Sequence, residues 1–220
     1  MAFPKNRMRR LRRTQQLRNL VRETRLSPES MIFPIFVCAG EKVRTEVSSM
    51  PGQYNLSIDN AVTLAREAER AGIGGILLFG LPPEKDDVGS DAYDENGIVQ
   101  KALRAIRENV RNLLLVTDVC LCEYTSHGHC GVIKHNDVQN DPTLKLLADA
   151  SVSHVRAGAD MVAPSDMMDG RVAAIRQALD AEGFSDTPIM IKASLSLRAS
   201  ISCFSLPETS TKGGIQKLWL

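Results

Sequence analysis

Cys120, Cys122 and Cys130 fall within eleven residues of one stretch, TDVCLCEYTSHGHCG at 117–131. A thiolate is soft and anionic, so three of them can hold Zn²⁺ and leave its fourth tetrahedral position open to water or substrate. That is the pattern of a catalytic zinc. A structural site usually closes with four protein ligands, and no second cysteine pair is present here to close it. His127 and His129 stand in the same stretch as alternative fourth ligands. The competing reading is a set of reduced cysteines packed beside a strand. Cys38 and Cys203 lie far away in sequence, and a total of five is an odd number. Metal or free thiol therefore fits better than a disulfide framework, and the expected compartment is reducing and cytoplasmic.

The elements that must position these residues follow from the alternation of the chain. Short apolar runs at 31–37, 74–80, 112–120, 159–165 and 188–194 read as strands buried on both faces. Between them lie stretches with helical spacing of apolar residues at 57–72, 96–110, 140–158 and 168–183, with Gly72, Gly158 and Gly183 at stop positions. Strand, helix and parallel strand in repetition mean right-handed βαβ units around a parallel sheet. Asp118, Cys120, Ser165 and Asp166 then lie at or just past carboxyl strand ends, where such sheets place their chemistry. A strand-end carboxylate can equally cap backbone N–H groups, and Ser165 and Asp166 could cap the helix that opens near Asp169. No Gly-x-Gly-x-x-Gly follows the first strand, which weakens a nucleotide-binding reading. A (β/α)₈ barrel takes about 250 residues, and only five strands can be counted here, so the expectation is an incomplete barrel with two open sheet edges.

The net charge of +1 hides an asymmetry. Residues 1–25 carry nine basic side chains against Glu23 alone, a balance of +8, and the remainder carries −7. A basic arm on an acidic body can bind nucleic acid, direct import into an organelle or lie against another copy of the body. With only Phe3 to stack on bases, self-association is the better reading and nucleic acid is not expected as a partner. No run approaches the roughly 18 apolar residues of a membrane-spanning helix, so no membrane role is expected.

TDVCLCEYTSHGHCG (117–131), APSDMMDGRVAAIRQALD (163–180), GSDAYDENG (89–97), SMPG (49–52) and RMRRLRR (7–13) together resemble the porphobilinogen synthase family, also called delta-aminolevulinic acid dehydratase. The resemblance runs in order over residues 7–190. It implies an α/β protein of the (β/α)₈ TIM-barrel class, here an incomplete barrel of about five strands behind an N-terminal arm. The implied division is a basic arm at 1–28, a partial barrel at 29–190 and a divergent Ser-rich tail at 191–220. The implied activity is the condensation of two 5-aminolevulinate molecules to porphobilinogen in haem biosynthesis. The family's zinc-dependent members hold Zn²⁺ through cysteines matching Cys120, Cys122 and Cys130. Asp118 matches an active-site aspartate, Ser165 is a further catalytic candidate, and some relatives also use Mg²⁺. The implied assembly is a homo-oligomer, commonly an octamer, held by its N-terminal arms.

The resemblance breaks after Met190. Family members carry Ser-Tyr-Ser-x-Lys, whose lysine forms a Schiff base with substrate. This chain reads IKASLSLRAS, with Leu195 at the lysine position and Lys192 three residues early. A shift of three turns a strand residue to the opposite face, so Lys192 is a candidate out of register. Residues 191–220 hold six serines and one acidic residue, Glu208, without the family's second lysine or its Arg-bearing segment. The expected outcome is a family member without turnover, and the alternative is a zinc-binding or regulatory partner of a full-length homologue.

Overall fold

The computed structural model describes residues 5–191. Lys192, Leu195, Cys203 and the expectations attached to the Ser-rich segment lie outside the described residues. The arm forms a 3-10 turn at Met8–Arg12 and helix α1 at Gln15–Leu20, neither with a buried residue. Thr14 Oγ1 accepts from the Leu17 N–H at 3.2 Å and caps α1.

The body then runs β1 (Ile32–Cys38), β2 (Arg44–Glu46), β3 (Tyr54–Leu56), α2 (Ile58–Arg70), β4 (Gly75–Leu81) and α3 (Ile98–Asn109). It continues through β5 (Leu114–Val119), β6 (Ile133–Lys134), β7 (Asp137–Val138), α4 (Asn140–Arg156), β8 (Met161–Pro164) and α5 (Arg171–Ala181). One sheet has the order β2-β3-β1-β4-β5-β8, and its β1, β4, β5 and β8 are parallel neighbours. The fifth apolar run begins to extend it: Val162 donates to Pro188 O at 3.2 Å, and Met190 N–H donates back to Val162 O at 2.9 Å. Among the described residues this is an open α/β sheet, the incomplete barrel that the sequence leads one to expect.

Alternation along the strands divides the sheet into two faces. In register, Ile35, Leu78, Thr117 and Val162 form one row, all buried, with α2, α3 and α4 packed against the strands. Each large apolar side chain so buried contributes about 1.5–3 kcal/mol. The apolar stripe of α3, Val99, Ala102, Leu103 and Ile106, supplies the opposing layer at helical spacing. The next row on the other face carries Phe36 and Phe79, stacked with centroids 5.1 Å apart and only half-buried. Asp118 and Ala163 share this second face by the same alternation.

Gly72 and Gly158 follow α2 and α4 with φ of 76° and 111°, left-handed values that favour glycine and end the helices where the sequence placed the stops. Two hairpins lie outside the sequence expectation. β2 and β3 pair antiparallel, and β3 also pairs with the end of β1, so β1 is not the sheet edge. Each has three residues, too few for a recognisable apolar run. The β6–β7 hairpin turns on His135 and Asn136, both at positive φ as a two-residue type I′ turn requires.

Candidate metal centre

The cysteine stretch leaves the carboxyl end of β5 as a loop that is fastened at both ends. Leu121 O accepts from Tyr124 N and Thr125 N at 2.9 Å each, which turns the chain just after Cys120. Leu121 and Tyr124 are buried and hold this turn to the body. The tyrosine ring fits because its neighbour on β4 is Gly80, where a Cβ would lie 2.2 Å from the Tyr124 hydroxyl oxygen. Thr125 Oγ1 donates to His129 O at 2.9 Å, and beyond Cys130 the Val132 N–H donates to Thr143 Oγ1 on α4 at 3.0 Å.

This turn gathers the three sulfurs within 4.8 Å of one another, and all three cysteines are buried. Cys120 Sγ and Cys122 Sγ are 3.3 Å apart. Tetrahedral zinc with sulfurs at 2.3 Å spaces those sulfurs by about 3.8 Å, a value between the 3.3 Å of the Cys120–Cys122 pair and the 4.8 Å that bounds the group, and the donor chemistry suits a soft divalent ion. The hydrogen bond with Cys120, followed by burial, pushes the Cys122 thiol up from its ordinary value. Cys122 Sγ also donates to Glu123 Oε2 at 3.1 Å. Among the described residues no histidine joins the group. The His127 and His129 rings pack on each other at 5.8 Å, His129 N–H donates to His127 Nδ1 at 3.2 Å, and His127 Nε2 lies 3.3 Å from Asp87 O.

At the end of β5, two residues before Cys120, Asp118 Oδ2 accepts from Ser165 Oγ at 3.1 Å. The contact follows from pairing of β5 with β8, which sets Asp118 opposite Ala163 and lets Ser165 N–H donate to Val119 O at 3.1 Å. Ser165 thus serves Asp118 instead of capping a helix. Asp166 does not cap α5 either: its Oδ1 accepts from Met168 N–H at 2.8 Å, and the N-cap of α5 is Gly170, without a side-chain cap. Asp166 is fully buried, and its Oδ2 is 3.5 Å from Arg171 Nε, too long for a good hydrogen bond. Burial raises its carboxyl to about 6. Sequence reasoning missed the loop after β4, which lies along the cysteine loop: Asp86 and Thr125 form a parallel bridge, and Ser126 Oγ donates to Asp87 Oδ1 at 2.5 Å. Nothing in residue spacing announces that contact.

A second buried titratable group is His154 on α4. Neither ring nitrogen makes a well-formed hydrogen bond, and burial lowers it to about 4, against a weak opposing effect of the Ala92 backbone. The two groups act oppositely on stability. His154 binds its proton more weakly folded than unfolded, so acidification from about 6.5 to 4 costs stability. Asp166 binds its proton more tightly folded, so acidification from about 6 to 3.8 restores stability that is lost above that window. Each amounts to about 3 kcal/mol at most. Relative to wild type, His154→Gln should gain stability on going from pH 7 to 4 and Asp166→Asn should lose it. Denaturant titrations at both pH values check this, and three parallel pH profiles would contradict it.

The family model for delta-aminolevulinic acid dehydratase matches residues 5–195. The dehydratase of Methanothermus sociabilis is 52% identical over 190 residues, covering 86% of this chain and 59% of the relative. That of Ruminiclostridium josui is 51% identical over 184 residues, covering 84% of this chain and 90% of the relative. A solved dehydratase from Toxoplasma gondii, in complex with the reaction product porphobilinogen, superposes with a TM-score of 0.81 at 39% identity. It covers 84% of this chain and 54% of its own. The chain thus spans 59% of the Methanothermus protein and 54% of the Toxoplasma one.

Proposed function

Since the chain belongs to the delta-aminolevulinic acid dehydratase family, we propose that it carries the metal and carboxylate half of a porphobilinogen synthase site and binds 5-aminolevulinate without turning it over. The observation that carries this is the buried cysteine group on the loop that leaves β5, the strand whose carboxyl end holds the Asp118–Ser165 pair. Cys120, Cys122 and Cys130 would hold Zn²⁺, which when bound supplies a Lewis acid for a substrate carbonyl. Asp118, kept in place by Ser165, would orient the substrate's ammonium group by charge and hydrogen bonding. Phe36 and Phe79 on the same face would keep water from the apolar part of the substrate. The departure at Leu195 supports the absence of turnover.

The same reading divides the chain into an arm at 1–28, a barrel-type body at 29–190 and a divergent segment at 191–220. The exposed basic arm would mediate homo-oligomerisation, and a reducing cytoplasm would suit the thiols. No helix among the described residues is long and apolar enough to cross a membrane.

Calorimetric titration of the zinc-loaded full chain with 5-aminolevulinate tests the proposal. Binding should weaken about ten-fold in Asp118→Asn, which loses a charge-assisted contact. Absence of binding by the wild-type chain at millimolar substrate, or equal binding by the zinc-stripped chain, would remove the basis for a substrate site here.

A further inference from the structure

We infer that Asp86, on the loop after β4, is a positioning residue for the cysteine site, acting through backbone pairing with the cysteine loop and not through contact with the metal. The inference rests on the metal reading of the three cysteines. Asp86 organises its own loop: Oδ1 accepts from Val88 N–H at 3.0 Å and Ser90 N–H at 3.1 Å, and Oδ2 accepts from the Ser90 hydroxyl. Those bonds favour the ionised carboxylate, and the Ser90 hydroxyl contributes most. The backbone of the same residue then pairs with the cysteine loop. Asp86 N–H donates to Tyr124 O at 3.3 Å, and Ser126 N–H donates to Asp86 O at 2.8 Å.

The paired segment, Tyr124 to Ser126, lies between Cys122 and Cys130. Seven residues separate those two ligands, and holding them together in a free loop costs conformational entropy. Fixing the middle of the loop before metal arrives removes part of that cost. Asp87 adds a second tie, since its Oδ1 accepts from Ser126 Oγ at 2.5 Å. Gly89, at φ 65°, bends the loop close to Tyr124, where a Cβ would lie 3.1 Å from the tyrosine Cβ.

The test uses the full chain and Zn²⁺, with affinity read by competition against a chromophoric chelator. Co²⁺ substitution counts the thiolates through the sulfur-to-metal absorption band. Asp86→Asn keeps the shape but weakens the acceptor, and it should reduce zinc affinity about ten-fold while three thiolates still bind Co²⁺. Ser126→Ala, which cuts the tie to Asp87, should shift affinity in the same direction by less and serves if Asp86→Asn fails to fold. The control is Asp160→Asn, whose carboxylate is anchored comparably to Leu115 N–H at 2.8 Å and Arg107 at 2.6 Å but away from the cysteines. It should lower the thermal midpoint and leave zinc affinity unchanged. Wild-type affinity in Asp86→Asn or, where that variant does not fold, in Ser126→Ala overturns the inference, as does an equal loss in Asp160→Asn. A wild-type chain that binds no zinc overturns the metal reading and this inference with it.

Discussion

Cys122→Ser and Cys130→Ser are each expected to strip the purified chain of its zinc. Zinc held by a full set of four protein ligands is worth about 10–16 kcal/mol, so one thiolate accounts for roughly 3–4 kcal/mol, or two to three orders of magnitude in affinity. A hydroxyl cannot replace it, since it is neither soft nor ionised at neutral pH. Cys38→Ser is the matched control. Cys38 ends β1, is half-buried and stands outside the sulfur group, so its substitution should leave zinc content at the wild-type value. Metal analysis of the three variants after dialysis gives the answer. Unchanged zinc in both cluster variants would mean that the sulfurs gather only through packing.

The second large effect is the absence of a reaction. Incubation of the zinc-loaded chain with 5-aminolevulinate is expected to yield no porphobilinogen, and borohydride added during incubation is expected to leave the protein mass unchanged. A Schiff base forms when a lysine amine attacks a carbonyl and loses water, and the reduced adduct cannot come apart. By the resemblance, the family position for that lysine falls on Leu195. The proposed binding through zinc and Asp118 is a separate property, so calorimetry can detect substrate while the covalent trap stays empty. A reduced adduct mapped to Lys192 would show that a lysine three residues early does the work, and the silent-site proposal would then fail.

Much of this was legible in the chain, for identifiable reasons. Continuous apolar runs such as GGILLFG suit strands, although Phe79 in this run is only half-buried and one face of the sheet is less covered than the sequence suggests, and the glycines at 72 and 158 stop the helices between the strands. Asp118 and the first cysteine could be placed together because they are two residues apart on one strand end. The contact of Asp118 with Ser165 was not legible. It depends on β5 and β8 pairing in one register, and position alone made helix capping equally reasonable for Ser165. The β2–β3 pair was hidden because three-residue strands carry no period, and the loop at 82–90 because its link to Tyr124 and Ser126 is made by backbone atoms. Main-chain pairing between distant loops leaves almost no mark on residue types.

The order in which the parallel strands stand side by side has a consequence for synthesis. β1, β4, β5 and β8 neighbour one another in the order in which they leave the ribosome, and each new strand is preceded by the helix that covers the sheet. No strand among them waits for a later one to be inserted between itself and its predecessor. The sheet can therefore be laid down vectorially, one unit at a time, and the three cysteines emerge with Asp86 already in place, before α4 supplies the Thr143 that fastens the far end of their loop. The proposed metal ligands are thus all present before the last strand of the sheet is made.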